Sequence, residues 1–274
     1  MIDEYVDISA EHLRDYMGRH HEDEYLLVDV REPDEYVKGH IPGSVHIPLG
    51  FIPERMDELP VDKDIVFYCH SGERSRGAAI FTGSRPYVAG TVFNMVGGIA
   101  AWGGHLLPDR PNLKVFDFSG TDQEVLLRAM DLERGAERFY TAIRQCYSSI
   151  PWAHSLATLA SAEEAHARMI YRFWAEGQTT PSSFATVYAS LAGDIVEGGY
   201  SSAVLVAKLE AQPFEPCRAT LEMALTIEYS AYDLYRNMAH RFQGQTMEEV
   251  FLSIAEAEKA HMRIVAEGLA LCVE

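Results

Sequence analysis

The hydrophobic period of this chain changes once, near residue 120, and that change constrains the fold more than any other feature. Before it, short apolar runs such as Leu26-Leu27-Val28-Asp29-Val30 and Ile65-Val66-Phe67-Tyr68 alternate with polar, helix-like stretches and Gly/Pro turns. Strands alternating with helices give an α/β domain with a mainly parallel sheet. After it, strand-like alternation disappears and long helical periodicity takes over. Leu107-Pro108-Asp109-Arg110-Pro111-Asn112 interrupts any regular element and Ser119-Gly120 closes the connector. The predicted organisation is a first domain over 1–107, a linker over 108–120 and a helical domain over 121–274.

In the helical part, Thr121 with Glu124 and Thr246 with Glu249 have capping-box spacing, and Gly177 and Gly244 stand where helices stop. Four long helices are predicted at about 121–148, 152–176, 216–241 and 246–271. Residues 178–215 are too many for a turn and read as the long crossover of some four-helix bundles, with short helices of its own. The second domain is thus predicted to be an all-α four-helix bundle.

The net charge of −18 repels phosphates and anionic lipid surfaces, so neither nucleic acid nor membrane is an expected partner. Asp3, Glu4 and Asp7 open the chain in place of a basic, then apolar, leader, and no run approaches the roughly 18 apolar residues of a spanning helix. A cytoplasmic location is expected. Cysteines at 69, 146, 217 and 272 contain no Cys-x-x-Cys pair and read as reduced thiols.

Cys69 follows the strand Ile65–Tyr68 and opens the loop Cys69-His70-Ser71-Gly72-Glu73-Arg74-Ser75, after which Arg76-Gly77-Ala78-Ala79-Ile80 reads as helix. A strand, a short loop and a helix N-terminus surround one sulfur with free N–H groups, a cradle that lowers a thiolate pKa and holds a terminal persulfide. Arg74 adds a positive charge. Cys146, Cys217 and Cys272 have no such loop and are expected to pack.

At these residues the chain resembles the rhodanese family. Val28-Asp29-Val30-Arg31-Glu32 through Gly39-His40-Ile41-Pro42-Gly43-Ser44 looks like the first family signature, Cys69 to Ser75 like the active loop, and Gly97-Gly98-Ile99 with Trp102 like the closing signature. The resemblance covers about 1–105 and implies a sulfurtransferase with Cys69 and Arg74 catalytic and His70, Ser71, Gly72, Glu73 and Ser75 forming the substrate loop. The six residues from Cys69 to Arg74 match sulfurtransferases, whereas related phosphatases carry one more. Asp29 and Arg31 are expected to pair and hold the architecture, and His40 and His46 to be structural.

In the second domain, Glu163-Glu164-Ala165-His166 and Glu258-Lys259-Ala260-His261 each put a Glu and a His on one helix face. Glu133 and Glu228 lie 30 residues before Glu163 and Glu258, and each precedes a tyrosine, Tyr140 or Tyr235, by seven residues. The halves look duplicated. Glutamates from two helices with Glu-x-x-His from two others form the ligand set of di-iron or di-manganese carboxylate bundles, whose cations offset the cost of burying four carboxylates.

This part resembles ferritin-like proteins of the rubrerythrin type. The resemblance implies Glu133, Glu163, His166, Glu228, Glu258 and His261 as ligands of two iron ions, with manganese or zinc as alternatives, and Glu163 and Glu258 as the bridging pair. Tyr140 and Tyr235, two helical turns from Glu133 and Glu228 on the same faces, are expected either to hydrogen-bond to ligands or to pack as core tyrosines. Rubrerythrins also carry a Cys-x-x-Cys iron site and a glutamate one turn beyond the third-helix ligand; this chain has no such motif and has Ala231 there. A separate electron donor is therefore expected.

The combined expectation is a Cys69 persulfide enzyme fed by thiosulfate or a persulfide, joined to a di-iron domain that reduces peroxide or oxygen, in a homodimer. The alternative is a non-catalytic persulfide-binding module on a metal-binding dimerisation bundle.

Overall fold

A computed structural model describes residues 5–147, 152–211 and 216–272. The chain divides into two compact units, Met1–Pro111 with Tyr235–Glu256, and Asn112–Leu234 with Ala257–Glu274.

The first unit is built on five strands, β1 (Val6–Ser9), β2 (Tyr25–Asp29), β3 (Val45–His46), β4 (Asp64–Tyr68) and β5 (Val92–Val96), with helices α1 (Ala10–Arg19), α2 (Pro33–Tyr36) and α3 (Glu73–Gly83). All pairings are parallel, in the order β1-β5-β4-β2-β3. Side chains alternate across a strand, so the two faces of the sheet carry separate cores. Leu26, Val28, Ile65 and Phe67 pack with Ala78 and Ala79 of α3 on one face. Tyr25, Leu27, Val66 and Tyr68 pack with Leu13 of α1 on the other. Burying each of the larger apolar side chains contributes about 1.5–3 kcal/mol. The central strand β4, flanked by β2 and β5, ends at Tyr68, so Cys69 emerges at the carboxyl edge of the sheet, where open parallel sheets build their sites.

The second unit contains α4 (Asp122–Cys146), α5 (Ala153–Glu176), α6 (Phe184–Ser190) and α7 (Ser202–Glu210), and shares α8 (Pro216–Arg241) and α9 (Thr246–Ala270) with the first. The four long helices lie where periodicity places them, and α6 and α7 occupy the crossover. Residue 148, the expected end of the first helix, and residues 212–215 at the end of the crossover lie outside the described residues. Thr121 and Glu124 make both capping-box bonds, Glu124 N to Thr121 Oγ1 (3.3 Å) and Thr121 N to Glu124 Oε2 (2.7 Å). Val125, Ala129, Leu132, Ala136, Phe139 and Ile143 give α4 a buried stripe of alternating four- and three-residue steps. Part of it enters a core with Leu156 and Leu159 of α5, Leu205 of α7, Leu221 and Ala224 of α8 and Val265 of α9. No helix among the described residues is long and apolar enough to cross a membrane.

Two features depart from the sequence reading. The first unit claims Tyr235–Glu256: Arg236 Nη2 donates to Tyr25 O (2.9 Å) and Lys63 Nζ to Glu248 Oε1 (2.6 Å). Because α8 and α9 are continuous, their periodicity cannot mark where their neighbours change. The second departure is a correction. Cys217 and Cys272, expected as packed thiols, form a disulfide with Cα atoms 5.7 Å apart. They sit at the start of α8 and just past the end of α9, 55 residues apart, so only the pairing of those helices reveals them as neighbours. Cys69, buried, and Cys146, exposed, are free.

Candidate functional site

Cys69 is buried at the mouth of the loop between β4 and α3. Gly72 N donates to its Sγ at 3.1 Å. Burial raises the thiol pKa, but the Ser75 hydroxyl and the backbone N–H groups of Ser75, Ser71 and Gly72 outweigh it and bring the pKa below its ordinary value. Ser75 Oγ has one proton and three acceptors in reach, Asn94 Oδ1 at 2.7 Å, Gly72 O at 3.1 Å and Cys69 Sγ at 3.5 Å. The amides are thus the fixed part of the cradle. Asn94 Nδ2 donates in turn to Asp7 Oδ1 (2.8 Å), which fixes the amide that orients Ser75. His70, Ser71 and Glu73 are exposed on the loop, and Gly72 and Ser75 are buried within it.

Arg74 has a partner that the sequence reading did not name. Its Nη1 and Nη2 bond Glu35 Oε2 (2.6 Å) and Oε1 (2.7 Å) in a bidentate pair, while its charge also acts on Cys69. The hydrogen bond from Arg74 holds the Glu35 carboxyl down at about 2. Arg74 therefore brings an ion-paired, oriented guanidinium to the loop. Glu35 is the N3 residue of the capping box that starts α2, its Oε2 accepting Glu32 N (3.2 Å), and nothing in that local pattern points to Arg74.

The glycine-rich closing motif braces the loop from below. Ile99 N donates to Cys69 O (2.8 Å) and Ala100 N to His70 O (3.1 Å). Gly98 has φ 56°, and a Cβ there would lie 2.4 Å from Cys69 O, so only glycine lets the two backbones meet. Gly98→Ala is expected to cost about 1–3 kcal/mol and to slow alkylation of Cys69 by iodoacetamide, measured in a Cys146→Ser background. An unchanged melting temperature and alkylation rate would refute the bracing role. The Asp29–Arg31 pair is present and buried, with Arg31 Nη2 at 2.6 Å from Asp29 Oδ2 and 2.7 Å from Gly39 O. His40 and His46 both stack on Tyr36.

In the second unit, Glu133, Glu163, His166, Glu228, Glu258 and His261 are all buried. Glu163, His166, Glu258 and His261 present ligand atoms that lie within 4.8 Å of one another. The arrangement has pseudo-twofold order. His166 Nδ1 faces Glu133 Oε2 (3.1 Å), Glu163 Oε2 (3.4 Å) and Glu258 Oε1 (3.3 Å). His261 Nδ1 faces Glu228 Oε2 (2.9 Å), Glu163 Oε1 (3.6 Å) and Glu258 Oε2 (3.2 Å). Glu163 and Glu258 thus offer one oxygen to each side, while Glu133 and Glu228 each serve one side only. The two imidazoles stack with centroids 4.8 Å apart. Tyr140 donates to Glu228 Oε1 across the helices, and not to the glutamate of its own helix. Tyr235 is buried and stacks on Phe251.

Without cations this centre holds protons. Burial opposes charge on His261, but Glu258, Glu228 and Glu163 outweigh it and push its pKa up to about 12; His166 is raised likewise by Glu133, Glu163 and Glu258. Burial and the Glu258 charge raise Glu228 to about 7, and the same causes raise Glu163. Burial also works against the Glu258 carboxylate, yet the two imidazoliums hold its pKa well below the usual range. Four carboxylates and two imidazoles form a donor set for two divalent cations. Buried Glu197 Oε2 lacks a hydrogen-bond partner among the described residues, as expected of an atom left for a cation. Glu197 belongs to the loop between α6 and α7, outside every motif in the sequence.

Family models match at residues 9–105, a rhodanese-like domain, and at residues 219–270, rubrerythrin. A sulfurtransferase from Allochromatium vinosum is 45% identical over 86 residues, 31% of this chain and 78% of that protein. The putative sulfurtransferase YtwF of Bacillus subtilis is 40% identical over 87 residues, 32% of this chain and 82% of that protein. A rhodanese-like domain protein from Staphylococcus aureus of known structure covers 38% of this chain and 98% of its own, at 24% identity and a TM-score of 0.34.

Proposed function

Because the chain belongs to the rhodanese-like family through residues 9–105 and carries a rubrerythrin domain at 219–270, we propose that it joins a Cys69 persulfide sulfurtransferase to a di-iron centre that reduces peroxide or oxygen. The observation that carries the first half is the sulfur of Cys69 held against the Gly72 amide with a lowered pKa. The thiolate attacks the sulfane sulfur of thiosulfate; a Cys69 S–S bond forms, the bond to the sulfonate sulfur breaks, and sulfite leaves with the electron pair. The amides of Ser71, Gly72 and Ser75 then hold the terminal sulfur until an acceptor thiolate or cyanide takes it, which restores the Cys69 thiolate.

Arg74 orients the anionic donor, and Glu35 sets how much of its charge is available. Glu35→Gln is expected to lower KM for thiosulfate roughly three- to tenfold at nearly constant kcat, because it frees the guanidinium without touching the sulfur. Arg74→Ala is expected to raise KM. Steady-state kinetics that show no change in KM for either variant would reduce the pair to a structural strut.

The second half rests on the disposition of six ligands in which Glu163 and Glu258 each face both imidazoles. Two bound iron ions would supply the redox chemistry, with electrons from a separate donor. Glu133, Glu163, His166, Glu228, Glu258 and His261 would hold the ions, and the chain itself excludes water by burial and keeps a proton on Tyr140 Oη against Glu228. Metal analysis with optical spectra of the full-length protein tests this reading. An oxo-bridged iron absorption that bleaches with reductant and returns with peroxide supports it; two redox-silent zinc ions would leave a metal-binding bundle without turnover.

A further inference from the structure

The crossover loop between α6 and α7 is pinned to α4 with more attachments than a connector needs. Asp131 Oδ1 accepts Gly193 N (2.8 Å), and Arg138 Nη1 donates to Ala192 O. Ile195 and Ser201 form an antiparallel bridge, closed inside by Val196 N to Tyr200 O (3.0 Å) and Gly199 N to Val196 O (2.7 Å). The carbonyl of Ile195 lies so near α4 that a Cβ on Gly135 would come within 2.1 Å of it, so Gly135 is what lets the loop reach the helix backbone. Val196 is buried in the core of the second unit.

This rigid loop carries Glu197, which is 2% exposed. Its carboxylate accepts its own backbone N–H, its Oε2 has no hydrogen-bond partner among the described residues, and the charges acting on it are those of Glu133, Glu163 and Glu258. An ionised carboxylate buried beside three others is tolerable in two ways, as a neutral acid or as a ligand of a cation. A neutral acid in a packed interior would still need an acceptor for its proton and a donor for its second oxygen. A ligand needs neither.

We propose that Glu197 is a seventh ligand of the metal centre, delivered by the crossover loop and not by any of the four long helices. The proposal rests on the di-metal reading of the six-residue cluster and adds to it a donor from a fifth segment of chain. This fifth carboxylate makes the site more negative than its pseudo-twofold symmetry suggests, and it falls outside that symmetry, so the two metal positions become inequivalent.

The test uses the full-length chain as wild type, Glu197→Gln and Glu197→Asp, each stripped of metal and titrated with cobalt(II). Wild type is expected to take two cobalt ions with distinct affinities. Glu197→Gln, isosteric with the protonated acid, is expected to weaken one of the two by at least about tenfold and to intensify the visible cobalt absorption as that ion loses a donor. Metal-free melts should show Glu197→Gln as stable as wild type or more so, since it removes a buried charge. If Glu197→Gln fails to fold, Glu197→Asp, which keeps the charge but shortens the reach, decides: weakened cobalt binding at unchanged apo stability supports coordination. Two cobalt ions bound by both Glu197→Gln and wild type with the same affinities and spectrum would overturn the proposal and leave the six-ligand centre standing. A wild-type protein that binds no cobalt would overturn both.

Discussion

Replacement of Cys69 by serine is expected to leave the melting temperature of the protein within about 2 °C of wild type and to reduce sulfur transfer from thiosulfate to cyanide to the uncatalysed background, a loss of roughly a thousandfold or more. The two effects separate because they rest on different properties of one side chain. Serine nearly conserves the volume of cysteine, and the amides of Ser71, Gly72 and Ser75 that now face sulfur can donate to oxygen as well. The hydroxyl, however, is not ionised at neutral pH and forms no stable bond to sulfane sulfur, so the intermediate itself is lost. Mass spectrometry after a thiosulfate pulse gives a readout independent of turnover: wild type gains one sulfur atom that a thiol reductant removes, and Cys69→Ser gains none. A variant that still turns over thiosulfate, or a wild-type mass increment located on Cys146, would move the chemistry away from this loop. The lowered pKa sets the pH dependence. Transfer should persist below the pH at which an ordinary cysteine would be protonated, since the cradle keeps the thiolate populated there.

What could be read from sequence tracks how local the cause is. The strand before Cys69, the loop length and the helix after it are written in consecutive residues, and the structure places them as expected. The gathering of Glu133, Glu163, His166, Glu228, Glu258 and His261 in the helical interior was legible because helix periodicity converts sequence spacing into a shared face. Glu35, Glu197 and the Cys217–Cys272 disulfide were not legible, because each depends on segments far apart in the chain arriving side by side. Glu35 reaches Arg74 across 39 residues and Glu197 reaches the cluster from a loop without a motif. The assignment of Tyr235–Glu256 to the first unit has the same origin, since one uninterrupted helix pattern serves two sets of neighbours. A cut at residue 121 would remove Tyr25 and Lys63, the partners of Arg236 and Glu248, so tests of the candidate metal centre belong on the whole chain.

The strongest test of that centre is the sign of its pH dependence. In the metal-free protein, Glu228 is raised to about 7 and His261 to about 12, the former chiefly by burial and the Glu258 charge, the latter by carboxylates that outweigh burial. A group raised in the folded state binds more protons there than in the unfolded chain, so stability falls as pH rises through the interval between its two pKa values. For Glu228 that interval runs from about 4.5 to about 7, and for His261 from about 6.5 to about 12. Across pH 8 to 5 both therefore stabilise the apo protein on acidification. With cations bound the sign reverses, because ligands must be deprotonated to coordinate and each proton added competes with metal. Subtracting apo from metal-loaded melting temperatures at each pH cancels contributions common to both forms, including those of the first unit. The difference should be largest near pH 8 and shrink by roughly 5 °C or more by pH 5. Glu258→Ala should abolish the difference at every pH, since it removes the carboxylate that faces both imidazoles, whereas His261→Ala opens one position and should leave a reduced difference. Parallel pH profiles for apo and loaded wild type, or a Glu258→Ala protein that retains both metals, would mean that these six side chains do not share a cation site.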